Sequence, residues 1–110
     1  AQAKVAILGL TFKEHTPDVR NSRVVDIVDR LREYDIEPAI VDPWAQVEEV
    51  RETYQLELQS LDQIQDADCV VFAVAHDEFK ALNLEDIDGL FRQDLPKEQR
   101  ILIDVKSILP

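Results

Sequence analysis

The chain has 110 residues, a formal net charge of −11 at pH 7 and a single cysteine, enough for one domain that buries about two-thirds of its unfolded surface without staples. The acid excess excludes nucleic-acid binding through a broad basic face, which needs many Lys and Arg contacts to phosphates, and Cys69 has no partner for an internal disulfide. No run approaches roughly eighteen apolar residues and the start, AQAKVAILG, lacks the order of a signal peptide, so the expectation is a soluble cytoplasmic protein with no membrane partner.

The charge is spread unevenly. Residues 1–44 hold six Lys or Arg against eight Asp or Glu, a net of −2, whereas residues 45–110 hold six against fifteen, a net of −9. An anion site therefore belongs near the N-terminal third, and the acid excess beyond it serves solubility.

Along the chain, KVAILGL is an apolar, β-branched run that predicts a strand buried on both faces of a parallel sheet. The stretch GLTFKEHTPDVRNSR, residues 9–23, follows it. That is far longer than the roughly two to six residues that usually join a strand to a helix. In RVVDIVDRLREY the apolar residues Val24, Ile27, Val28, Leu31 and Tyr34 fall at steps of three and four, which predicts an amphipathic helix with Asn21 or Ser22 placed to cap it.

PAIVDP reads as a second buried strand ended by Pro43, AQVEEVRETY as a second helix, LELQS as a short edge strand and LDQIQDA as a helical turn. CVVFAVA is the longest apolar strand signal, HDEFKAL and LEDIDGLF are short helices, and RILIDVK is a last buried strand. Strands alternating with helices predict an α/β fold: a doubly wound, mainly parallel sheet with helices on both faces, a Rossmann-like three-layer sandwich. There is no repeat, low-complexity segment or linker, and the chain starts and stops near strand edges, which predicts a domain excised from something longer.

Open parallel sheets bind ligands outside the carboxyl ends of their strands, where strand order reverses. That edge should hold Thr11, Phe12, Lys13, Arg20, Asn21 and Ser22 after the first strand. It should also hold Asp42, Pro43 and Trp44, then Ala75, His76 and Asp77, and finally Lys106 and Ser107.

The dinucleotide fingerprint G-x-G-x-x-G is absent, since Gly9 is followed by Leu10 and Thr11 and the chain has only two glycines. An independent NAD-binding module is thereby excluded. So is a receiver-type domain, which wants an acidic pair after the first strand. What remains is a loop carrying Lys13 and Arg20, the first a mobile point charge and the second a planar fork for phosphate or carboxylate. Solvated surface residues would look the same. Asp42 is either a ribose acceptor or a turn former before Pro43. His76 is either a base or a hydrogen-bonded cap, Trp44 either a core lid or an interface anchor, and Cys69 a packing residue.

The segments VAILGLTFKEHTPDVRNSRVVDIVDRL, VDPW, VVFAVAHDEFKAL and LIDVKSILP resemble the C-terminal, UDP-binding domain of the UDP-glucose/GDP-mannose dehydrogenase family across essentially the whole chain. The run of Gly9, Phe12 and Lys13, with Arg20 seven residues later and then Ser22, is specific to that family. TPDVRNS and AVAHDEF are most similar to the branch that oxidises UDP-N-acetylhexosamines for bacterial surface polysaccharides.

The resemblance implies a longer enzyme. Its N-terminal Rossmann domain holds NAD, its helical central domain mediates homodimerisation, and the present domain, residues 1–110, closes over a UDP-sugar. Two successive NAD-dependent oxidations take the sugar C6 alcohol to a carboxylate through an aldehyde and a thioester on a Cys outside this segment. Phe12 and Lys13 are then substrate-binding and Arg20 cofactor-binding; the resemblance puts no catalytic residue and no metal here and gives no role to Asp42, Trp44 or His76. The segment alone is expected to be inactive. The competing expectation is a non-catalytic nucleotide-binding or oligomerisation module.

Overall fold

The computed structural model describes residues 3–13, 15–20 and 22–105. Asn21, Lys106 and Ser107, named above as cap or ligand-edge residues, lie outside them. Five parallel strands form one sheet: β1 (Val5–Leu8), β2 (Ala39–Val41), β3 (Leu58–Gln59), β4 (Cys69–Phe72) and β5 (Ile101–Asp104), in the order β3-β2-β1-β4-β5. The chain winds outward from β1 to β3, then crosses back to lay β4 on the free flank of β1. The crevice between β1 and β4 is therefore the switch point of the sheet.

Register sets the two faces. Ile7 lies level with Ile40 and Val71, and this row packs under Val24 and Val28 of helix α1 (Val24–Glu33) and Val50 of α2 (Val47–Tyr54). The alternate row, Ala6, Leu8, Val70 and Phe72, packs against Phe79 of α3 (Asp77–Lys80) and Ile87 of α4 (Leu84–Asp88). Each fully buried Ile, Leu, Phe or Val side chain contributes about 1.5–3 kcal/mol. The fold is thus the expected α/β sandwich, with every described strand pairing parallel. Among the described residues no helix is long and apolar enough to cross a membrane.

Three local expectations are corrected. CVVFAVA is a strand only over Cys69–Phe72; beyond it the N–H groups of Ala73 and Val74 both donate to the Leu8 carbonyl (3.0 and 3.4 Å), so the chain curls over the end of β1. β5 is an edge strand rather than a buried one, with Ile101 and Ile103 54% and 46% exposed. An apolar run reports a liking for burial, and the helices that share the face of these two side chains lie over the other strands. Ser22 does not cap α1 in the usual sense: Arg23 occupies the N-cap position without a side-chain cap bond, and Ser22 Oγ accepts the Val24 N–H at 3.2 Å from one residue earlier.

Candidate functional site

The long connector is a pinned excursion. Leu10 and Val19 are buried in the core beneath α1 and α2 and anchor its two ends, while Phe12 N–H donates to the Asp18 carbonyl at 2.6 Å and closes the loop between them. The Tyr54 hydroxyl of α2 donates to the Val19 carbonyl, also at 2.6 Å. The loop is long because it dives into the core twice and is displayed in between, as in a compact Ω-loop.

The displayed part borders a cleft of about 430 Å³ at the carboxyl ends of β1 and β4, a size that suits a small ligand. Phe12 and Lys13 form one wall, Arg23 with Val24 and Ile27 of α1 another, and Val74 lies at the switch point. Phe12 is 55% exposed, its ring free to stack. A second hollow of about 540 Å³ opens beside Lys4, Glu37 and Asp66 at the opposite, amino edge of the sheet. Its acids and its position disfavour an anionic ligand.

Arg23 has no part in the sequence motif, and the structure adds it to the site. A cation at the positive N-terminus of a ten-residue helix is electrostatically misplaced unless an anion joins it. Nine of the eleven described Lys and Arg side chains have an acidic partner within salt-bridge distance: Lys4, Arg20, Arg30, Arg32, Arg51, Lys80, Arg92, Lys97 and Arg100. Among the described residues the two without one are Lys13 and Arg23, and both face this cleft.

Arg20 stands apart. Its side chain is 79% exposed, lines no part of the cleft and is gripped by Asp18, with Nε 3.1 Å from Oδ1 and an amino group 3.3 Å from Oδ2. That hydrogen bond lowers the Asp18 pKa and raises that of Arg20, and Glu49 of α2 adds a smaller raising effect on Arg20. The two cations read from the loop therefore face different sides of it.

Asp42, Trp44 and His76 meet behind the loop. Asp42 Oδ2 accepts the N–H groups of Leu10 and Thr11 (2.7 and 2.9 Å), and Oδ1 those of Trp44 and Ala45 (2.8 and 3.1 Å). The buried His76 ring sits with Nε2 3.1 Å from Asp42 Oδ2 and 3.0 Å from Thr11 Oγ1. Trp44 is a partly exposed lid rather than a core residue. Its indole stacks on His76 at 6.0 Å and donates to Glu78 Oε1 at 3.1 Å. Among the described residues no buried side-chain polar atom lacks a partner. Cys69 is half-buried, and burial, with a smaller effect from Asp68, raises its thiol pKa, which suits packing rather than attack.

A model of the UDP-glucose/GDP-mannose dehydrogenase family, UDP binding domain, matches residues 6–110. The chain belongs to this family. It is 40% identical over 108 residues to a UDP-N-acetyl-D-glucosamine 6-dehydrogenase from Salmonella typhi, covering 98% of this chain and 24% of the relative. Among solved structures it is similar to a UDP-D-ManNAc dehydrogenase from Pyrococcus horikoshii (TM-score 0.75, 28% identity, 99% of this chain and 23% of that one). It is also similar to the UDP-N-acetyl-mannosamine dehydrogenase Cap5O from Staphylococcus aureus (TM-score 0.73, 25% identity, 99% and 24%). The chain thus spans about a quarter of the length of these dehydrogenases.

Within this UDP-binding domain the turn after β1 does not fit a dinucleotide. Gly9 (φ +110°) is needed because a Cβ there would lie 2.6 Å from Val74 Cβ, so the glycine serves packing of the loop on the end of β4 rather than close approach of a pyrophosphate. At Gly9 the backbone is therefore covered by Val74 rather than laid open to a phosphate.

Proposed function

We propose that this chain is the nucleotide-sugar-binding domain, residues 1–110, at the C-terminal end of a longer NAD-dependent UDP-sugar 6-dehydrogenase. Its substrate is a UDP-N-acetylhexosamine, oxidised at C6 from alcohol to carboxylate for surface polysaccharide. The names of its relatives support the reaction. One observation within the chain carries the binding role. Lys13 and Arg23, without acidic partners among the described residues, converge with the N-terminus of α1 on a single cleft at the switch point.

In this reading the two cations and the helix N-terminus hold the diphosphate, and Phe12 packs on the uridine or sugar. Arg20, exposed on the far side of the loop, reaches toward NAD held by another domain of the same enzyme. The remaining domains supply the cofactor cradle, the catalytic Cys and the contacts of a cytoplasmic homodimer. The isolated chain forms no NADH from UDP-sugar and NAD.

Calorimetric titration of the full-length protein with UDP tests the reading. Lys13→Ala and Arg23→Ala should each weaken binding about 10- to 100-fold, the loss of one charge-assisted hydrogen bond. Glu98→Ala, at an exposed acid remote from the cleft, should leave it unchanged. Equal affinities for all three variants would sink the proposal.

A further inference from the structure

We infer that the buried His76, anchored by Asp42, is a positioning residue that sets Lys13 at the cleft without touching the ligand; this rests on the reading of the cleft as a UDP site. Asp42 Oδ2 already accepts two backbone N–H groups, from Leu10 and Thr11, so it faces donors, and the ring nitrogen 3.1 Å away is a third donor, which places a hydrogen of His76 on Nε2. Nδ1 of the same ring accepts the His15 N–H at 3.2 Å, which selects the same tautomer. Thr11 Oγ1, 3.0 Å from Nε2, shares that hydrogen and gives its own to the Lys13 carbonyl at 2.9 Å.

A relay of three hydrogen bonds thus runs from Asp42 through His76 and Thr11 to the backbone of Lys13. The opposite edge of the imidazole holds His15, two residues further on. Lys13 lies between the two points where one ring grips the loop.

Several features set this apart from a histidine that merely fills the core. Both ring nitrogens are used, and both hold the segment that carries Lys13. His15 adopts φ 61°, a left-handed conformation that non-glycine residues adopt at a cost, and its N–H reaches the ring from there. Phe12 N–H ties the outer side of the same excursion to Asp18. His76 is fully buried and lines no part of the cleft, so any effect it has on ligand affinity must pass through other residues.

A double-mutant cycle on the full-length protein, with UDP as the titrant, tests this. His76→Asn keeps an acceptor near Nδ1 and loses the Nε2 donor; His76→Gln restores a donor near Nε2. His76→Asn should weaken UDP binding about tenfold, His76→Gln should recover to within about threefold of wild type, and in a Lys13→Ala background His76→Asn should add less than about twofold. Circular dichroism identifies variants that fold. If His76→Asn does not, Thr11→Val, which keeps the shape and deletes the relay hydroxyl, enters the same cycle with the same expectation. Unchanged affinity, or effects that multiply with that of Lys13→Ala, overturns the positioning role and leaves the UDP site standing. An unchanged affinity for Lys13→Ala alone overturns the site reading, and the positioning role with it.

Discussion

Gly9 shows how much one residue decides here. Its φ is +110°, and a methyl group on its Cα would lie 2.6 Å from Val74 Cβ and 2.8 Å from the Val74 backbone nitrogen, with no flexible side chain to give way. Gly9→Ala should cost about 2–4 kcal/mol, read as a lower urea midpoint; a loss under about 0.5 kcal/mol would mean that the two strand ends cross with more space between them. Arg23 is the complementary case. A cation at a helix N-terminus lowers stability slightly and prepares an anion site, and that conflict with local preference is the one mark of it in the sequence. Lys13 is legible there because Phe12 and Lys13 belong to a family motif. The relay through His76 is not, since a lone histidine after a strand has no local signature.

At the scale of the element, α1 (Val24–Glu33) shows what periodicity reports. Its spacing puts Val24, Ile27, Val28, Leu31 and Tyr34 on one face, yet the structure buries Val24 and Val28 and leaves Ile27 and Tyr34 exposed. Ile27 is apolar because it walls the cleft rather than the core. Val28→Ala should therefore destabilise the fold by about 2 kcal/mol in chemical denaturation and Ile27→Ala by less than about 0.5 kcal/mol. Similar losses would mean that the helix is rotated. β5 makes the same point for strands, since composition does not tell the edge from the centre of a sheet. The loop of residues 9–23 is explained only by its two core anchors, Leu10 and Val19, which a polar-looking stretch hides.

For the molecule as a whole, charge acts in two opposite ways. The net charge of −11 is self-repulsive in the compact state, while Lys13 and Arg23 line one cleft that, in the proposed function, takes an anionic ligand. Salt screens both. Raising ionic strength from about 0.02 to 0.5 M should raise the Tm of the chain by a few degrees and weaken UDP binding by several-fold in the full-length protein. Movement of both quantities in the same direction would contradict the placement of the cations. The exposed ion pairs, such as Arg32 with Glu37 and Arg51 with Glu57, add little to stability, although each lowers its carboxyl pKa. Their small contribution is present above the ordinary glutamate range and is lost as pH falls through the lowered value.

Local patterns by themselves determined the strand and helix order and the parallel α/β class. Those features depend on residues close together in the chain and on the type of surface each stretch must bury. The tertiary structure alone decided that Arg23 joins Lys13, that Arg20 turns away from both, and that Asp42 and His76, 34 residues apart, share a hydrogen bond. Strand order is the physical reason. Placing β1 between β2 and β4 brings three strand ends, each unremarkable in sequence, to one point behind the loop.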